Sequence, residues 1–230
     1  PPFRDEQSVL FEILNRGKRS IALDLKNPAI RPALLDLISS ADILVEQFRP
    51  GVMKRLQLDF DTLQPDQPGL VYCSISGYGQ QGPYSQVVGH DLNYQAWTGL
   101  LALAGNVVDK PVVPALIADI AGGTHAAVIN LLLALRMRDQ TGRGCHLDVA
   151  MTEGLFPFML SALATRAAGK ALPGSGQDLL TGGSPRYQLY PTSDGLYLAA
   201  APLEEHFWQR FTELIELPVE FRSSEVDPDV

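Results

Sequence analysis

Two side chains that can exchange protons stand at loop-to-helix boundaries of this chain. His90 lies in the segment GHDLNY, residues 89–94. Asp119 follows an apolar stretch, residues 112–118, and precedes the pair Gly122-Gly123. An Asp and a His on the ends of separate elements can meet in one cleft, where burial and a helix N-terminus adjust their pKa values for proton transfer near neutral pH. The pattern predicts an acid/base pair.

Each of these residues also has an ordinary structural interpretation. Asp119 at a helix start can simply cap the helix through its carboxylate, and His90 can be a loop histidine without a chemical role. Asp91, taken alone, is interpreted as the cap of the following helix. The pair Gly122-Gly123 favours a functional site, because residues without side chains let a ligand approach the backbone amides, which are also candidate donors to an oxyanion.

The elements that must position this pair alternate between strand and helix. β-Rich runs predict strands over residues 20–25, 43–46, 70–76 and 145–151. Helices are predicted over residues 92–103, with Tyr94, Trp97, Leu100 and Leu101 on a buried face, and over residues 120–138 and 152–168. The spacing is typical of an α/β fold with a Rossmann-like parallel sheet and helices on both faces. The glycine-rich loop 77–89 follows the third strand, at the edge where such sheets bind ligands.

A second region begins after a change in composition. Residues 169–183 are rich in Gly, Pro and Ser and are interpreted as a connection between domains. A β-hairpin over residues 187–200 and a helix over 204–216 follow it. We therefore predict a large domain (1–160), a linker (161–183) and the beginning of a smaller α+β domain (184–230).

Composition and charge exclude several classes of protein. The 230 residues are 46% hydrophobic, with a net charge of −8, so the chain can bury a core and lacks the basic face that binds nucleic acid. Several cations fall in the first quarter, where they either serve an anionic ligand or form a solvated surface. Cys73 and Cys145 belong to no paired or metal-ligand motif, so we expect no metal site. The same cysteine usage predicts a protein that is reduced and located in the cytoplasm. The sequence contains no uninterrupted apolar run of about 18 residues, so no membrane span is predicted.

Four motifs together resemble the family III CoA-transferases, the CaiB/BaiF superfamily. They are NRGKRSIALDLK (residues 15–26), EQFRPGVM (46–53), SGYGQQGPY (76–84) and DQTGRG running into DVAM (139–151). The resemblance extends from about residue 11 to residue 217 in unchanged order. Within the superfamily, GHDLNY, LTGGSPRY (180–187) and PLEEHFW (202–208) look most like α-methylacyl-CoA racemase.

The resemblance implies an acyl-CoA site in the Rossmann-like large domain and two subunits interlocked as a homodimer. CoA would enter as part of the substrate, with no tightly bound cofactor. It also implies that the chain is a fragment, lacking the first strand and a CoA-binding loop of the family at one end and the returning C-terminal segment at the other.

The same resemblance implies a role for individual residues. Asp119 matches the catalytic carboxylate of the whole family, His90 matches the second base of the racemases, and Glu204 matches an acid that supports this histidine. The positions that match CoA contacts are Leu23, Asp24, Lys26, Gln47, Phe48, Arg49, Arg55 and Gly89.

Three functions remain open at this point. The first is a racemase or epimerase of 2-methyl-branched acyl-CoA that uses His90 and Asp119 as two bases. The second is a CoA-transferase in which Asp119 forms an aspartyl anhydride and then an aspartyl-CoA thioester. The third is an inactive CoA-binding fragment.

Overall fold

The computed structural model describes residues 2–104 and 115–223. The chain divides into two compact units, Pro1–Ala41 and Asp42–Val230. This division does not test the domain and linker boundaries predicted around residues 160 and 183, which stay a prediction. The N-terminal unit contains strands β1 (Phe3–Arg4) and β2 (Gln7–Ser8), helix α1 (Val9–Leu14), a 3₁₀ helix (Pro28–Ile30) and helix α2 (Arg31–Ser39).

The strand predicted over residues 20–25 is wrong. Residues 18–24 are irregular, and Ile21 is 66% exposed. The sequence has the β-branched and alternating residues of a strand, but a strand also needs a ladder partner, and residues 20–25 pair with no other described segment. The 3₁₀ helix and α2 follow these residues, and the Asn27 side chain accepts the Ala29 N–H at the start of the 3₁₀ helix.

The second unit is built on a parallel three-stranded sheet. Strands β3 (Ile43–Glu46), β4 (Val71–Ser76) and β5 (His146–Ala150) lie in the order β3-β4-β5. The parallel register places Ile43 opposite Val71 and Tyr72 opposite His146. Three of the four predicted strands thus form, and the α/β class with a parallel sheet is confirmed.

Helices pack on both faces of this sheet because β4 alternates its side chains. In the described segments, the helices between β3 and β5 are α3 (Val52–Arg55), α4 (Phe60–Leu63), α5 (Asp91–Thr98), α6 (Leu100–Leu103), a π-helix (Ala118–His125) and α7 (Ala126–Thr141). On one face, Cys73 and Val149 pack against Ala127 of α7. On the other, the Tyr72 hydroxyl donates to the Leu58 carbonyl between α3 and α4, over 3.1 Å.

The long helix predicted between residues 120 and 138 has two parts. Its first eight residues form the π-helix, and α7 then continues to Gly142, whose φ of 71° closes the C-terminus. By length and composition the combined helix, Ala118–Thr141, could cross a membrane, a test that core helices of water-soluble folds also pass. Because Ala127 and Ala134 are buried and Ala127 packs on the sheet, we interpret it as a core helix.

The helix predicted over residues 92–103 breaks at Gly99, which has a φ of 87°. Asp91 is predicted to cap this helix, but this prediction is wrong, because Asp91 is the first residue of the helix and His90 holds the cap position. The Asn93 side chain accepts the His90 backbone N–H over 3.0 Å. The sequence predicts Trp97 on the buried face, but its side chain is 57% exposed. Its ring packs edge-on against Tyr84 in the loop before the helix, and Tyr84 is itself exposed.

The C-terminal elements follow the predicted order. A 3₁₀ helix (Glu153–Met159) precedes α8 (Leu160–Ala167), and Pro157, which lacks an amide N–H, lies inside the 3₁₀ part. Antiparallel strands β6 (Gln188–Pro191) and β7 (Tyr197–Ala200) form the predicted hairpin. Further short elements are 3₁₀ helices at Leu179–Thr181 and Val219–Phe221, and helix α9 (Glu205–Leu214).

Candidate active site

The carboxyl ends of the three parallel strands meet at one edge of the sheet, and a cavity of about 520 Å³ lies there. The loops that follow β3, β4 and β5 all contribute to its wall. This is where open α/β sheets bind ligands. The residues that line it are Gln47, Phe48, Arg49, Pro50, Ile75, Ser76, Gly77, Tyr78, Ser85, Gln86, Val87, Val88, Gly89, His90, Tyr94, Asp119, Thr124 and Met151.

The loop after β3 is held by the last residue of that strand. Glu46 is buried, and its carboxylate accepts the Phe48 N–H over 2.8 Å. The Gln86 side chain donates to the Pro50 carbonyl over 3.4 Å. These bonds hold the segment that carries Gln47, Phe48 and Arg49 against the cavity.

The loop after β4 is fixed at both ends. The Asp148 carboxylate accepts the Gln80 N–H over 2.9 Å, and the Thr152 hydroxyl donates to the Gly77 carbonyl over 2.9 Å. The Tyr94 ring fills the space beside Gly77 and Gly89, where an added Cβ would lie 2.6 and 2.8 Å from the ring. Both positions therefore require glycine, and this close packing sets the path of the chain into His90.

Asp119 is held from the opposite side by α5. Its backbone N–H donates to the Asp91 carboxylate over 2.9 Å, and its carbonyl accepts the Thr124 hydroxyl over 3.1 Å. Asp119 itself lies in the π-helix, a rare element that is frequently found at functional sites. The two parts of the predicted acid/base pair thus line one cavity.

The pKa of Asp119 is raised above its ordinary value. Burial is the main cause, and the negative charge of Asp91 adds to it, whereas the charge of His90 opposes it. A carboxylate with a raised pKa is a stronger base, which suits removal of a weakly acidic proton. The geometry therefore supports acid/base chemistry at Asp119, with His90 as its partner in the cavity wall.

The predicted ligand role of Gly122-Gly123 is wrong. A Cβ on Gly122 would lie 2.4 Å from the Met151 carbonyl oxygen, so the space is filled by backbone and not open to a ligand. Both residues are buried inside the π-helix, where each amide donates to the carbonyl five residues earlier, so neither amide is a donor to an oxyanion. These glycines allow the π-helix to approach the segment after β5.

We expect Gly122→Ala to lower the free energy of unfolding by about 1–3 kcal/mol, because the methyl group must displace the Met151 backbone. Denaturant unfolding measures the change. Gly69→Ala is the matched control, since a Cβ there meets its nearest atom, the Gly142 carbonyl oxygen, at an ordinary 3.8 Å. Equal stability of the two variants would contradict the close packing.

The other predicted site residues are distributed unevenly. Gln47, Phe48, Arg49 and Gly89 line the cavity with His90 and Asp119, whereas Arg55 lies outside its wall. Leu23, Asp24 and Lys26 belong to the N-terminal unit, where the Asp24 carboxylate accepts the Lys26 backbone N–H over 3.0 Å.

Glu204 holds the cap position before α9 and does not line the cavity. Its neighbour Glu205 binds the buried Arg186 over 2.6 Å, and this ion pair lowers the pKa of Glu205. Arg186 also lies over the Trp208 ring, 5.3 Å from its centre. The start of α9 is thus anchored to the segment before the hairpin, and the supporting role of Glu204 stays a prediction.

The sequence analysis did not predict several residues of the cavity wall, including Tyr94, Thr124 and Met151. It also predicted Asp91 as a helix cap, whereas the Asp91 carboxylate accepts the Asp119 N–H. A signal for Asp91 was present, since it directly follows His90. In the described part of the chain, no group of three His, Cys, Asp or Glu side chains has the arrangement of a metal site.

Comparison with known proteins finds one family profile and several relatives that are similar to this chain. The sequence profile of CoA-transferase family III matches residues 1–227. The chain is 41% identical over 196 residues to alpha-methylacyl-CoA racemase of Mus musculus, covering 85% of this chain and 51% of the relative. It is 38% identical over 173 residues to acetyl-CoA:oxalate CoA-transferase of Acetobacter aceti, covering 74% and 44%.

The fold agrees with a solved structure. A CAIB/BAIF family protein from Brucella suis superposes with a TM-score of 0.77 at 30% sequence identity, covering 93% of this chain and 56% of that protein. The chain thus spans about half the length of the relatives that it matches.

Proposed function

Because the chain belongs to CoA-transferase family III, we propose that the full-length protein is a racemase or epimerase of 2-methyl-branched acyl-CoA. The observation that carries this proposal is the presence of His90 and Asp119 in the wall of one cavity, with the pKa of Asp119 raised by burial. The name of the Mus musculus relative, alpha-methylacyl-CoA racemase, supports the same reaction.

Two bases suffice for the reaction. In one direction, the Asp119 carboxylate takes the α-proton, the electron pair moves into the thioester carbonyl as an enolate, and protonated His90 returns a proton to the opposite face. In the other direction, neutral His90 removes the proton and the Asp119 carboxylic acid supplies it. Each turnover inverts the α-carbon and leaves both groups in the opposite protonation state, which exchange with water restores.

Arg49 is the cavity residue that we assign to the CoA phosphates. It is exposed at the cavity, and no ion pair joins its guanidinium to another residue of the described segments. A guanidinium matches the geometry of a phosphate with two parallel donors. Gln47 and Phe48 in the same loop, with Gly89 across the cavity, would contact the rest of the CoA moiety.

We expect Arg49→Ala to weaken CoA binding about tenfold, which corresponds to the loss of one hydrogen-bonded charge contact. Isothermal titration with CoA measures the dissociation constant. Lys54→Ala is the matched control, because it removes an exposed cation from the neighbouring α3, outside the cavity wall. A larger effect of Lys54→Ala than of Arg49→Ala would contradict the assignment.

The second candidate function is CoA transfer, which the name of the Acetobacter aceti relative favours. Asp119 would attack the thioester carbonyl and expel the CoA thiolate, which gives an acyl anhydride. The thiolate would then attack the aspartyl carbonyl, releasing the acid and leaving an aspartyl-CoA thioester. A third possibility, an inactive CoA-binding fragment, predicts CoA binding without either reaction.

The proposal is tested by incubating the full-length protein with a single enantiomer of a 2-methylacyl-CoA and separating the enantiomers by chiral chromatography. We expect a mixture of both to form. A sample that keeps its configuration, while an added free carboxylic acid acquires CoA, would contradict the racemase and support the transferase.

Three further expectations accompany this proposal. The interlocked homodimer follows from the family resemblance, the cytoplasmic location from cysteine usage, and the large-domain and small-domain boundaries from composition. Light scattering of the full-length protein measures the first of them.

A further inference from the structure

Asp91 is a buried carboxylate whose two oxygens are both used at the active site. It is 6% exposed and lies at the first position of α5, directly after His90. One oxygen accepts the backbone N–H of Asp119 over 2.9 Å. The other accepts a short hydrogen bond from the Gln95 side-chain amide, one turn along the helix. Asp91 thus connects α5 to the peptide unit that carries Asp119.

The side-chain amide of Gln95 points its N–H at Asp91 and leaves its own oxygen unpaired. It is 1% exposed, and its amide oxygen has no hydrogen-bond partner among the described residues. A buried unpaired carbonyl is unfavourable, but turning the amide would point this oxygen at the Asp91 carboxylate. Two N–H donors on Asp91 are the arrangement that an ionised carboxylate requires. Gln95 therefore stabilises a negative charge beside Asp119.

We propose that Asp91, held by Gln95, is a positioning residue that fixes the Asp119 peptide at the cavity wall and places a negative charge beside the Asp119 carboxylate. The proposal rests on the proposed function, in which Asp119 is a base. Asp91 itself does not line the cavity and is not assigned a contact with substrate.

The charge environment of Asp119 makes this role measurable. Burial and the charge of Asp91 raise the pKa of Asp119, and His90 lowers it. The remaining titratable or charged groups on the elements packed against the π-helix, on the π-helix itself and across the cavity are Tyr94 on α5, His125, Arg136, Arg138 and Asp139 on the long helix, Glu153 on the 3₁₀ helix, His146 and Asp148 on β5, and Arg49 and Tyr78 in the cavity wall. Among the titratable groups of the described segments, only Asp91 combines a charge effect with a direct hydrogen bond to the Asp119 backbone.

The test is Asp91→Asn in the full-length protein. The Asn oxygen still accepts the Asp119 N–H, and its amide faces Gln95, whose oxygen gains a partner when the Gln95 amide turns. The fold and melting temperature should therefore be kept. Because a negative neighbour is lost, the pKa of Asp119 falls, and the acidic limb of the pH–rate profile for α-proton exchange should move to lower pH. An unchanged acidic limb would overturn the proposal.

A second variant tests the positioning role. Asp91→Ala removes the acceptor of the Asp119 N–H, and we expect kcat to fall on the order of 10²-fold with KM little changed, because the base is displaced while the CoA contacts remain.

Asp148→Asn is the matched control for the pH profile, since that carboxylate also accepts a backbone N–H, from Gln80, but does not act on the pKa of Asp119. An acidic limb that moves equally in Asp148→Asn would overturn the proposal.

A direct titration separates this inference from the proposed reaction. If the wild-type protein exchanges no α-proton, the proposed function fails, and the Asp119 carboxyl is followed instead by ¹³C NMR. A lower titration midpoint of Asp119 in Asp91→Asn than in the wild type supports the role of Asp91 even in a CoA-transferase. An equal midpoint overturns it.

Discussion

Asp119→Asn is expected to lower α-proton exchange on the order of 10³-fold, because it removes the base without removing its position. The two hydrogen bonds that hold residue 119 use its backbone N–H and carbonyl, and Asn keeps both. The variant should also lose CoA transfer, since the same carboxylate is the nucleophile of that reaction. Exchange and transfer are measured in parallel with one acyl-CoA substrate.

Stability distinguishes a lost base from a lost fold. The folded protein raises the pKa of Asp119, so it binds this proton more tightly than the unfolded chain does. Ionisation of Asp119 therefore costs stability as pH rises from the unfolded pKa through the folded one. We expect Asp119→Asn to melt at or above the wild-type temperature at neutral pH, with a smaller difference in acid.

A matched control removes a nearby carboxylate outside the cavity wall. Glu153→Gln changes an exposed acid in the 3₁₀ helix that packs against the π-helix, and it should keep full activity. An Asp119→Asn protein with substantial exchange activity would show that another group is the base. A melting temperature well below wild type would show that Asp119 is structural.

His90→Ala is the second large effect, and it should separate inversion from exchange. A two-base racemase needs both groups in each direction, so interconversion of enantiomers should fall by about 10²–10⁴-fold. Asp119 remains able to remove and return a proton on its own face. We therefore expect solvent deuterium to enter one enantiomer of 2-methylacyl-CoA with retention, and the other to exchange hardly at all.

The His90→Ala substitution should leave the fold intact, and the chain offers a matched control variant. The His90 side chain is exposed, and alanine keeps the backbone N–H that bonds to the Asn93 side chain and the carbonyl that accepts the Asn93 and Tyr94 N–H groups. CoA transfer through Asp119 should survive in His90→Ala. His125→Ala is the control, because His125 is an exposed histidine of the π-helix that does not line the cavity. Equal exchange of both enantiomers by His90→Ala would contradict the two-base assignment.

The sequence predicted the position of the site because topology determines it. Once residues 43–46, 70–76 and 145–151 are recognised as parallel strands, their following loops must meet at one edge, and His90 ends the loop that follows the second of them. The cavity between these loops confirms that edge. The alternation of strand and helix was therefore enough to predict this edge, whereas the packing of α5 against the π-helix holds Asp119 there.

What the sequence did not predict depends on contacts between distant residues. Residues 20–25 have the composition of a strand, but no described segment pairs with them. Gly122 has the composition of a ligand-binding loop, but its missing side chain accommodates the Met151 backbone. Asp91 has the position of a helix cap, but its carboxylate reaches a residue 28 positions away. Propensity describes neighbours along the chain, and each of these roles is set by a neighbour in space.

The central claim is proton transfer at the α-carbon of an acyl-CoA, and the most direct measurement is deuterium incorporation at that carbon. The full-length protein is incubated in heavy water with a 2-methylacyl-CoA and a free carboxylic acid, and both products are followed by mass spectrometry. We expect deuterium to enter the α-position while CoA stays on its original acyl group. Transfer of CoA to the added acid without α-deuterium would contradict the racemase and make Asp119 a nucleophile.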